Sequence, residues 1–375
     1  MSRSTAKWMA SQITDSSRRT DVATLPFEAT SDCNSDRLFA SLIDQSTISW
    51  PAKYHLIRRL GAGGQGVVFL ADRVGADGWE VPVAVKFFSR ERYADMRAYV
   101  EDMSRIAQIS ARVAVIQQDH LLDVHNFVEL QGIRAMSMEW VDGFDLAFLL
   151  SRDRLTKLQS DVSPERWAYL NNVVITPGIK RSRLKPGVAI AIVRECLAAL
   201  AALHRDGIVH GDLKPANIML KRTGNAKIID LGSTSNIDDA GGQPPFTPQY
   251  AAPEVLEGAR CTPFSDLASL GYVLVEMLAG QSLFSTDENY QELLKSKRRL
   301  PENLPTLLPD EVLASQSLMQ LIRTLVAPRP SQAYSSAEAA GLLEFGAASF
   351  HRELVNSDLS SEYETEIRLW LQDVD

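Results

Sequence analysis

The run His210-Gly211-Asp212-Leu213-Lys214-Pro215-Ala216-Asn217, continued by Ile218-Met219-Leu220, crowds a carboxylate, an amine and an amide into a loop that opens onto an apolar, strand-like tripeptide. Packing is a poor reason for such crowding, because Asp212, Lys214 and Asn217 are all costly to bury without partners. Phosphoryl transfer is a better one. In that chemistry a carboxylate accepts the proton of an incoming hydroxyl, a cation offsets charge on the migrating phosphoryl group, and an amide carbonyl holds a metal ion. His210 reads as a packed structural residue, because Asp212 has the better position for a base.

Working outward toward the N-terminus, Leu60-Gly61-Ala62-Gly63-Gly64-Gln65-Gly66-Val67-Val68-Phe69-Leu70 is G-x-G-x-x-G-x-V between strand-like runs. A dinucleotide-binding version would open a helix at the third glycine. Here the following residues are β-branched and apolar, so the glycines belong to a hairpin whose backbone N–H groups can approach phosphates closely. Next comes Val83-Ala84-Val85-Lys86-Phe87-Phe88. A Lys in the middle of a buried-looking strand is costly unless paired. A helix is predicted from Arg92 to about Val113, and a rotation of 100° per residue puts Met96, Tyr99, Met103, Ile106 and Val113 on one face. Asp102 borders that face, whereas Glu101 points nearly the opposite way.

Together these motifs resemble those of the protein kinase superfamily. The order and the loop Lys are similar to a soluble bacterial Hanks-type Ser/Thr kinase, here with His-Gly-Asp in the catalytic loop. The departure is Gly211, where most such kinases carry Arg. The resemblance implies an α+β, two-lobed fold with ATP and Mg²⁺ between the lobes. It implies Asp212 as base, with Lys214 and Asn217 as its catalytic companions, and Lys86 bridging the nucleotide phosphates and an acid on the next helix. That acid is normally a Glu. Either Asp102 serves with a shorter arm or the helix register is distorted. Met138-Glu139-Trp140-Val141 resembles a kinase hinge, with Met138 as gatekeeper, the backbone of Glu139 and Val141 on the adenine edge, and Asp145 near the ribose. Leu60, Gly61, Gly63, Gly66, Val68, Ala84 and Met219 would complete the nucleotide site, and Asn217 and Asp230 would hold the metal, Asp230 from Asp230-Leu231-Gly232.

Further motifs agree. Thr247-Pro248-Gln249-Tyr250-Ala251-Ala252-Pro253-Glu254 resembles the segment that closes a kinase activation loop, and Ser265-Asp266-Leu267 opens a helix like the central C-lobe helix. In kinases Glu254 pairs with a buried Arg that is missing here, where Ala333 stands, so Arg329 is the expected substitute. Gly211 removes the charge that usually gathers an activation-loop phosphate, and the segment from Gly232 to Thr247 carries Asp238 and Asp239 but no basic residue. Activity is therefore expected to depend on something other than phosphorylation there, with the Thr247 hydroxyl bonding Asp212 or Lys214.

Composition bounds the rest. The chain has 375 residues, 45% hydrophobic and 23% charged, with a net charge of -8. That mild acidity argues against a general nucleic-acid binder. Cys33, Cys196 and Cys261 are scattered, so neither a disulfide framework nor a zinc site is suggested, and a reducing cytoplasm is the expected home. The apolar run from Val188 is broken by Arg194 and Glu195, so it reads as an amphipathic helix and no membrane span is expected. Residues 1–50 read as a disordered leader with one short docking helix over 36–43. The kinase domain spans 54–345, with an N-lobe over 54–141, a C-lobe over 142–345 and an insertion over about 151–187. An acidic, partly helical tail occupies 346–375, where Trp370 could dock. The insertion's basic run, Lys180-Arg181-Ser182-Arg183-Leu184-Lys185, reads as solvated or as a contact for an acidic partner. Protein substrates are expected, and a regulatory partner could act through the leader or the insertion. The rival readings are an aminoglycoside-type small-molecule kinase, which often carries His-Gly-Asp, and a pseudokinase scaffold. Lys214, the full glycine loop and the Ala-Pro-Glu segment argue against the first, and the presence of Lys86, Asp212, Asn217 and Asp230 against the second.

Overall fold

A computed structural model describes residues 52–237, 244–342, 346–356 and 363–374, together with Ser41 and Asp44. Apart from those two positions the leader and its expected helix lie outside the described residues, as do Asp238 and Asp239.

The N-terminal lobe is a five-stranded antiparallel sheet in the order β1-β2-β3-β5-β4, formed by β1 (Lys53–Gly63), β2 (Gly66–Val74), β3 (Glu80–Phe88), β4 (Val124–Leu130) and β5 (Ile133–Glu139). Gly63 pairs with Gly66, so the glycine motif is the tight turn of the β1–β2 hairpin. Between β3 and β4 runs helix α1 (Met96–Val113), whose N-cap Asp95 accepts from the Ala98 N–H. Its buried face carries Tyr99, Met103 and Ile106, which pack with Phe88 and Met136 of the sheet. Met96, expected on that face, is the first residue of the helix and is exposed.

After a short connection, β6 (Gly143–Asp145) and α2 (Leu146–Leu149) begin the helical lobe. The insertion folds as α3 (Arg152–Asp161), α4 (Pro164–Val173) and a hairpin of β7 (Ile175–Pro177) with β8 (Ser182–Leu184). Ser151 and Ser163 cap the two helices, the local signal that a solvated loop would lack. Helix α5 (Pro186–Arg205) follows, then β9 (Ile208–Val209), β10 (Ile218–Lys221), β11 (Ala226–Ile228), β12 (Ser235–Asn236) and α6 (Pro253–Leu256). The lobe is centred on α5 and α7 (Pro263–Ala279). Helix α7 is apolar around nearly its whole circumference and correspondingly buried. It starts at a Thr262–Ser265 capping box and stops at Gly280 with φ 65°. Helix α5 is long and apolar enough to cross a membrane, but most of its apolar window is buried in this core.

The remaining elements are α8 (Tyr290–Leu307), α9 (Asp310–Leu313), α10 (Gln316–Leu325), α11 (Ala337–Leu342), α12 (Ala347–Asn356) and α13 (Tyr363–Asp373). Helix α13 buries Ile367, Trp370 and Leu371. Its outer residues bond the insertion: Arg166 pairs with Asp373 at 2.7 Å, the Tyr169 hydroxyl reaches Glu366 at 2.7 Å, and Arg154 donates to the Val374 carbonyl at 3.1 Å. This is an α+β, two-lobed fold with a β-sheet N-lobe and a helical C-lobe.

Candidate active site

The loop between β9 and β10 is pinned from beneath by one buried carboxylate. Asp266, in the first turn of α7, accepts the backbone N–H groups of His210 and Gly211, both at 2.9 Å, and pairs with His204 at 2.9 Å. Burial alone would push its carboxyl up, but the bond and charge of His204 outweigh this and hold it below the usual carboxylate range. Gly211 has φ +78°, and a Cβ there would lie 2.8 Å from the Ser233 carbonyl oxygen, so the loop turns where a side chain would be strained. His210 is fully buried, its Nε2 3.2 Å from the Ile229 carbonyl.

So held, the loop directs Asp212 at the cleft. Its Oδ1 accepts the Thr247 N–H at 2.8 Å, and its Oδ2 accepts from Lys214 Nζ at 2.7 Å. Lys214 Nζ also donates to the Thr247 hydroxyl at 2.8 Å, as expected for that threonine. Asn217 Nδ2 donates to the Asp212 carbonyl at 2.8 Å, which leaves its carbonyl oxygen as the end suited to a cation. Beside them opens a cleft of about 1140 Å³ whose walls include Gln65, Arg105, Asp212, Lys214, Ser233 and Thr247.

Lys86, on β3, donates to Asp230 Oδ1 at 2.6 Å and to Gln65 Oε1, on the cleft wall, at 2.7 Å. Burial pushes the Asp230 carboxyl up, but Lys86 outweighs it and keeps the acid below its usual range. Asp230 holds φ 68°, a conformation uncommon outside glycine. Its carboxylate and the Asn217 carbonyl are hard oxygen donors of the kind Mg²⁺ takes.

The expected partner for Lys86 on α1 is not where the helical wheel placed it. Asp102 lines the same cleft but does not bond Lys86; it is bound by Arg92 at 2.7 Å, Arg105 at 2.8 Å and the Tyr93 hydroxyl. Two guanidinium groups and a phenol outbid one distant ammonium, and Arg105 is itself anchored on the carbonyls of Gly232 and Thr234. Burial and the Asp102 bond push the Tyr93 hydroxyl up to about 12. Glu101 pairs with Arg97 in solvent. The Gln65 amide takes the place of the missing acid.

Five of the residues expected at the nucleotide fall into one patch. Ala84, Met138 and Val141 are buried together with Leu122, and Val68, Met219 and Ile229 pack against them. Leu60 is 37% exposed and stands outside that cluster. Because β6 pairs with β10, Asp145 and Met219 are direct neighbours. Asp145 caps α2 through the Phe148 N–H at 2.9 Å, and burial raises its pKa. The Glu139 N–H already donates to the Asp123 carbonyl, so of its backbone only the carbonyl can serve an adenine. Its side chain pairs with Lys227.

Beyond Thr247 the expected Glu254–Arg329 contact is absent. Arg329 is exposed and forms no ion pair with Glu254, because it precedes the turn over Pro330–Gln332 at the surface. Half-buried Glu254 is pushed above its ordinary pKa by burial. The segment is held elsewhere: Ser269 Oγ donates to the Tyr250 carbonyl at 2.7 Å, Lys297 Nζ to the Gln249 carbonyl at 2.6 Å, and the Tyr250 hydroxyl to Glu276 at 2.6 Å. The sequence reading assigned no role to Gln65, Arg105, Asp266, Glu276 or Lys297. Asp266 and Glu276 left a signal, since an acid inside an otherwise apolar helix demands a partner.

A model of the protein kinase domain matches residues 54–341. Among curated proteins the chain is 31% identical to the serine/threonine-protein kinase PknH of Mycobacterium bovis over 238 residues, covering 62% of this chain and 34% of that protein. It is 29% identical to PknD of Mycobacterium tuberculosis over 289 residues, covering 76% and 38%. Against PkaB of Streptomyces coelicolor it is 29% identical over 310 residues, covering 78% and 62%. The chain thus spans about a third of the length of the first of these relatives.

Proposed function

The chain belongs to the protein kinase domain family, and from that premise we propose that it transfers the γ-phosphoryl group of ATP to Ser or Thr hydroxyls of protein substrates. The observation that carries this reading is the Asp212 carboxylate, set against Lys214 Nζ at 2.7 Å on the wall of a cleft also lined by Gln65, which bonds Lys86, itself paired with Asp230. Asp212 orients the incoming hydroxyl and takes its proton as the new O–P bond forms and the bond to ADP breaks. Lys214, already beside Asp212, offsets charge on the transferring group. Lys86 holds the nucleotide's phosphates once Gln65 yields to them. Asn217 and Asp230 would hold Mg²⁺, which supplies charge neutralisation at the phosphate oxygens. Val68, Ala84, Met138, Val141 and Met219 offer an apolar seat for adenine, and the glycine hairpin closes over the phosphates.

The test is incubation of the purified protein with labelled ATP, magnesium and a generic basic protein. Label on Ser or Thr is the expected result. A scaffold would transfer nothing, and a small-molecule kinase would label an aminoglycoside in preference. Asp212→Asn is expected to lower turnover by on the order of 10²–10⁴ with the fold retained. A folded Asp212→Asn protein with near-normal turnover would refute the assignment.

A further inference from the structure

The insertion hairpin packs on the C-terminal end of α7 in the C-lobe. Its tip is fixed by backbone bonds: the N–H groups of Lys180 and Arg181 both donate to the Gly280 carbonyl, at 3.1 and 2.8 Å, and Gly178 N–H donates to the Arg181 carbonyl at 2.9 Å. Gly178 and Gly280 touch so closely that a Cβ on Gly178 would lie 2.6 Å from the Gly280 Cα. Ser182 N–H donates to Leu150 and Lys185 N–H to Val174, each at 2.9 Å, tying the hairpin to α2 and α4. Three of the four cations in the run expected to be solvated or to meet an acidic partner are paired within the chain: Arg183 and Lys185 bond Glu311. Arg181 bonds Glu276.

Glu276 is the pivot. It lies on α7, its side chain 2% exposed, with Arg181 on one oxygen and the Tyr250 hydroxyl 2.6 Å from the other. Tyr250 N–H donates to the Thr247 carbonyl at 3.0 Å, and Thr247 is bonded to both Asp212 and Lys214. An unbroken set of polar contacts therefore joins the insertion to the catalytic carboxylate. Glu254, the acid expected to anchor this segment, has no Arg to do so, and the Tyr250 hydroxyl shares that task with Ser269 and Lys297.

We propose that Arg181 is a positioning residue: through Glu276 it holds Tyr250, and with it the 247–250 turn, in the place where that turn meets Asp212 and the incoming protein chain. The proposal rests on the kinase reading for its kinetic consequence but not for its structural one. The backbone bonds at the hairpin tip fix where the Arg181 side chain begins, so only that side chain has to be ordered to hold Glu276. A buried carboxylate deprived of its cation would take up a proton or draw in water, and either change weakens the bond it accepts from the Tyr250 hydroxyl. The contacts end at Asp212 and Lys214 and do not include Lys86 or the apolar seat for adenine, so the loss is expected in transfer to the acceptor and not in the KM for ATP.

Arg181→Met, made in the full chain, is expected to lower kcat/KM for the basic protein acceptor on the order of tenfold, the worth of one charge-assisted hydrogen bond, while KM for ATP stays unchanged. Arg181→Lys should recover part of the loss. Tyr250→Phe, cutting the other end, should reproduce it, and the double variant should be no worse than the poorer single one, because both act through one contact. A second measurement needs no turnover: deuterium uptake at the 247–253 amides should quicken in Arg181→Met and in Tyr250→Phe. Unchanged exchange in this segment overturns the proposal whether or not the wild type transfers phosphate. A wild type that fails to label any acceptor while exchange still responds would overturn only the kinase reading. Equal losses for ATP and for the protein acceptor would reduce Arg181 to a general stabilising role and also refute the proposal.

Discussion

Gln65 and a polyphosphate make the same demand on one ammonium. The amide oxygen lies 2.7 Å from Lys86 Nζ, its nitrogen lies 3.5 Å from the Ser233 hydroxyl, and a Cβ on Gly232 would strike the amide. Binding of the phosphates must displace this side chain and forfeit its bond to a charged group, a loss of about 1.5 kcal/mol or more. Gln65→Ala is therefore expected to tighten ATP and ADP binding by about tenfold and to leave adenosine binding unchanged, as read by titration calorimetry. Equal ADP affinity in the two proteins would show that the amide does not compete. The residues that carry chemistry (Lys86, Asp212, Asn217, Asp230) stand out in the bare sequence because each is an expensive group in an apolar or crowded setting. Gln65 does not, since a Gln in a glycine turn costs nothing until the fold brings Lys86 beneath it.

At the scale of the element, α1 shows where periodicity stops informing. Its wheel correctly placed Tyr99, Met103, Ile106 and Val113 inside, because burial follows the 3.6-residue period. It could not choose the partner of a border residue, because Arg92 and Tyr93 come from the irregular segment before the helix. Asp102 now ties that segment to Arg105 and so to the backbone after Asp230. Asp102→Asn should cost about 1–3 kcal/mol of stability, whereas Glu101→Gln, losing only an exposed pair, should leave stability at the wild-type level. The Asp102 carboxyl is held low: burial opposes it, but the Tyr93 and Arg105 bonds prevail. Its contribution is thus full above the ordinary Asp pKa near about 3.9 and is lost as pH falls through the depressed folded value, so the gap between wild type and Asp102→Asn should close in acid. A gap that widened below pH 4 would contradict this.

The same scale accounts for α6. An acid of a buried ion pair typically costs about 3–5 kcal/mol to remove, which is what Glu254 would show had Arg329 reached it. Instead burial lifts the Glu254 pKa with no cation in return. A carboxyl raised in the folded state costs stability above its folded pKa, and that cost disappears as pH falls below the ordinary value. Glu254→Gln is accordingly expected to raise Tm at pH 7 and to lose that advantage near pH 4. A large drop in Tm at pH 7 would mean that the acid has a cationic partner after all.

For the whole molecule, the order of motifs from the glycine hairpin to Glu254 made the two-lobed architecture legible, since each motif demands a particular neighbour at a particular spacing. What could not be read was how residues 151–187 pack. Their helices were signalled only by Ser caps, and their partners lie far away in sequence, on α7, on Glu311 and on α13. Helix α13 closes this assembly. It lays Trp370, 1% exposed, against the core beside α5, and its acids reach Arg166 and Tyr169 on α4. A chain that buries its last tryptophan there gains more than local stability, because the insertion is braced between this helix and α7. Removing a buried aromatic side chain of that size costs about 3–5 kcal/mol. Trp370→Ala should lower Tm, and its first visible consequence should be local: faster deuterium exchange across 164–173 and the 175–184 hairpin, at concentrations of denaturant that leave the β1–β5 sheet protected. If Arg181 holds Tyr250 as argued, the 247–253 amides should follow the hairpin in the same variant, ahead of the N-lobe. Exchange that accelerates uniformly over both lobes, or a Tm equal to that of the wild type, would show instead that the terminal helix merely covers the body and braces nothing.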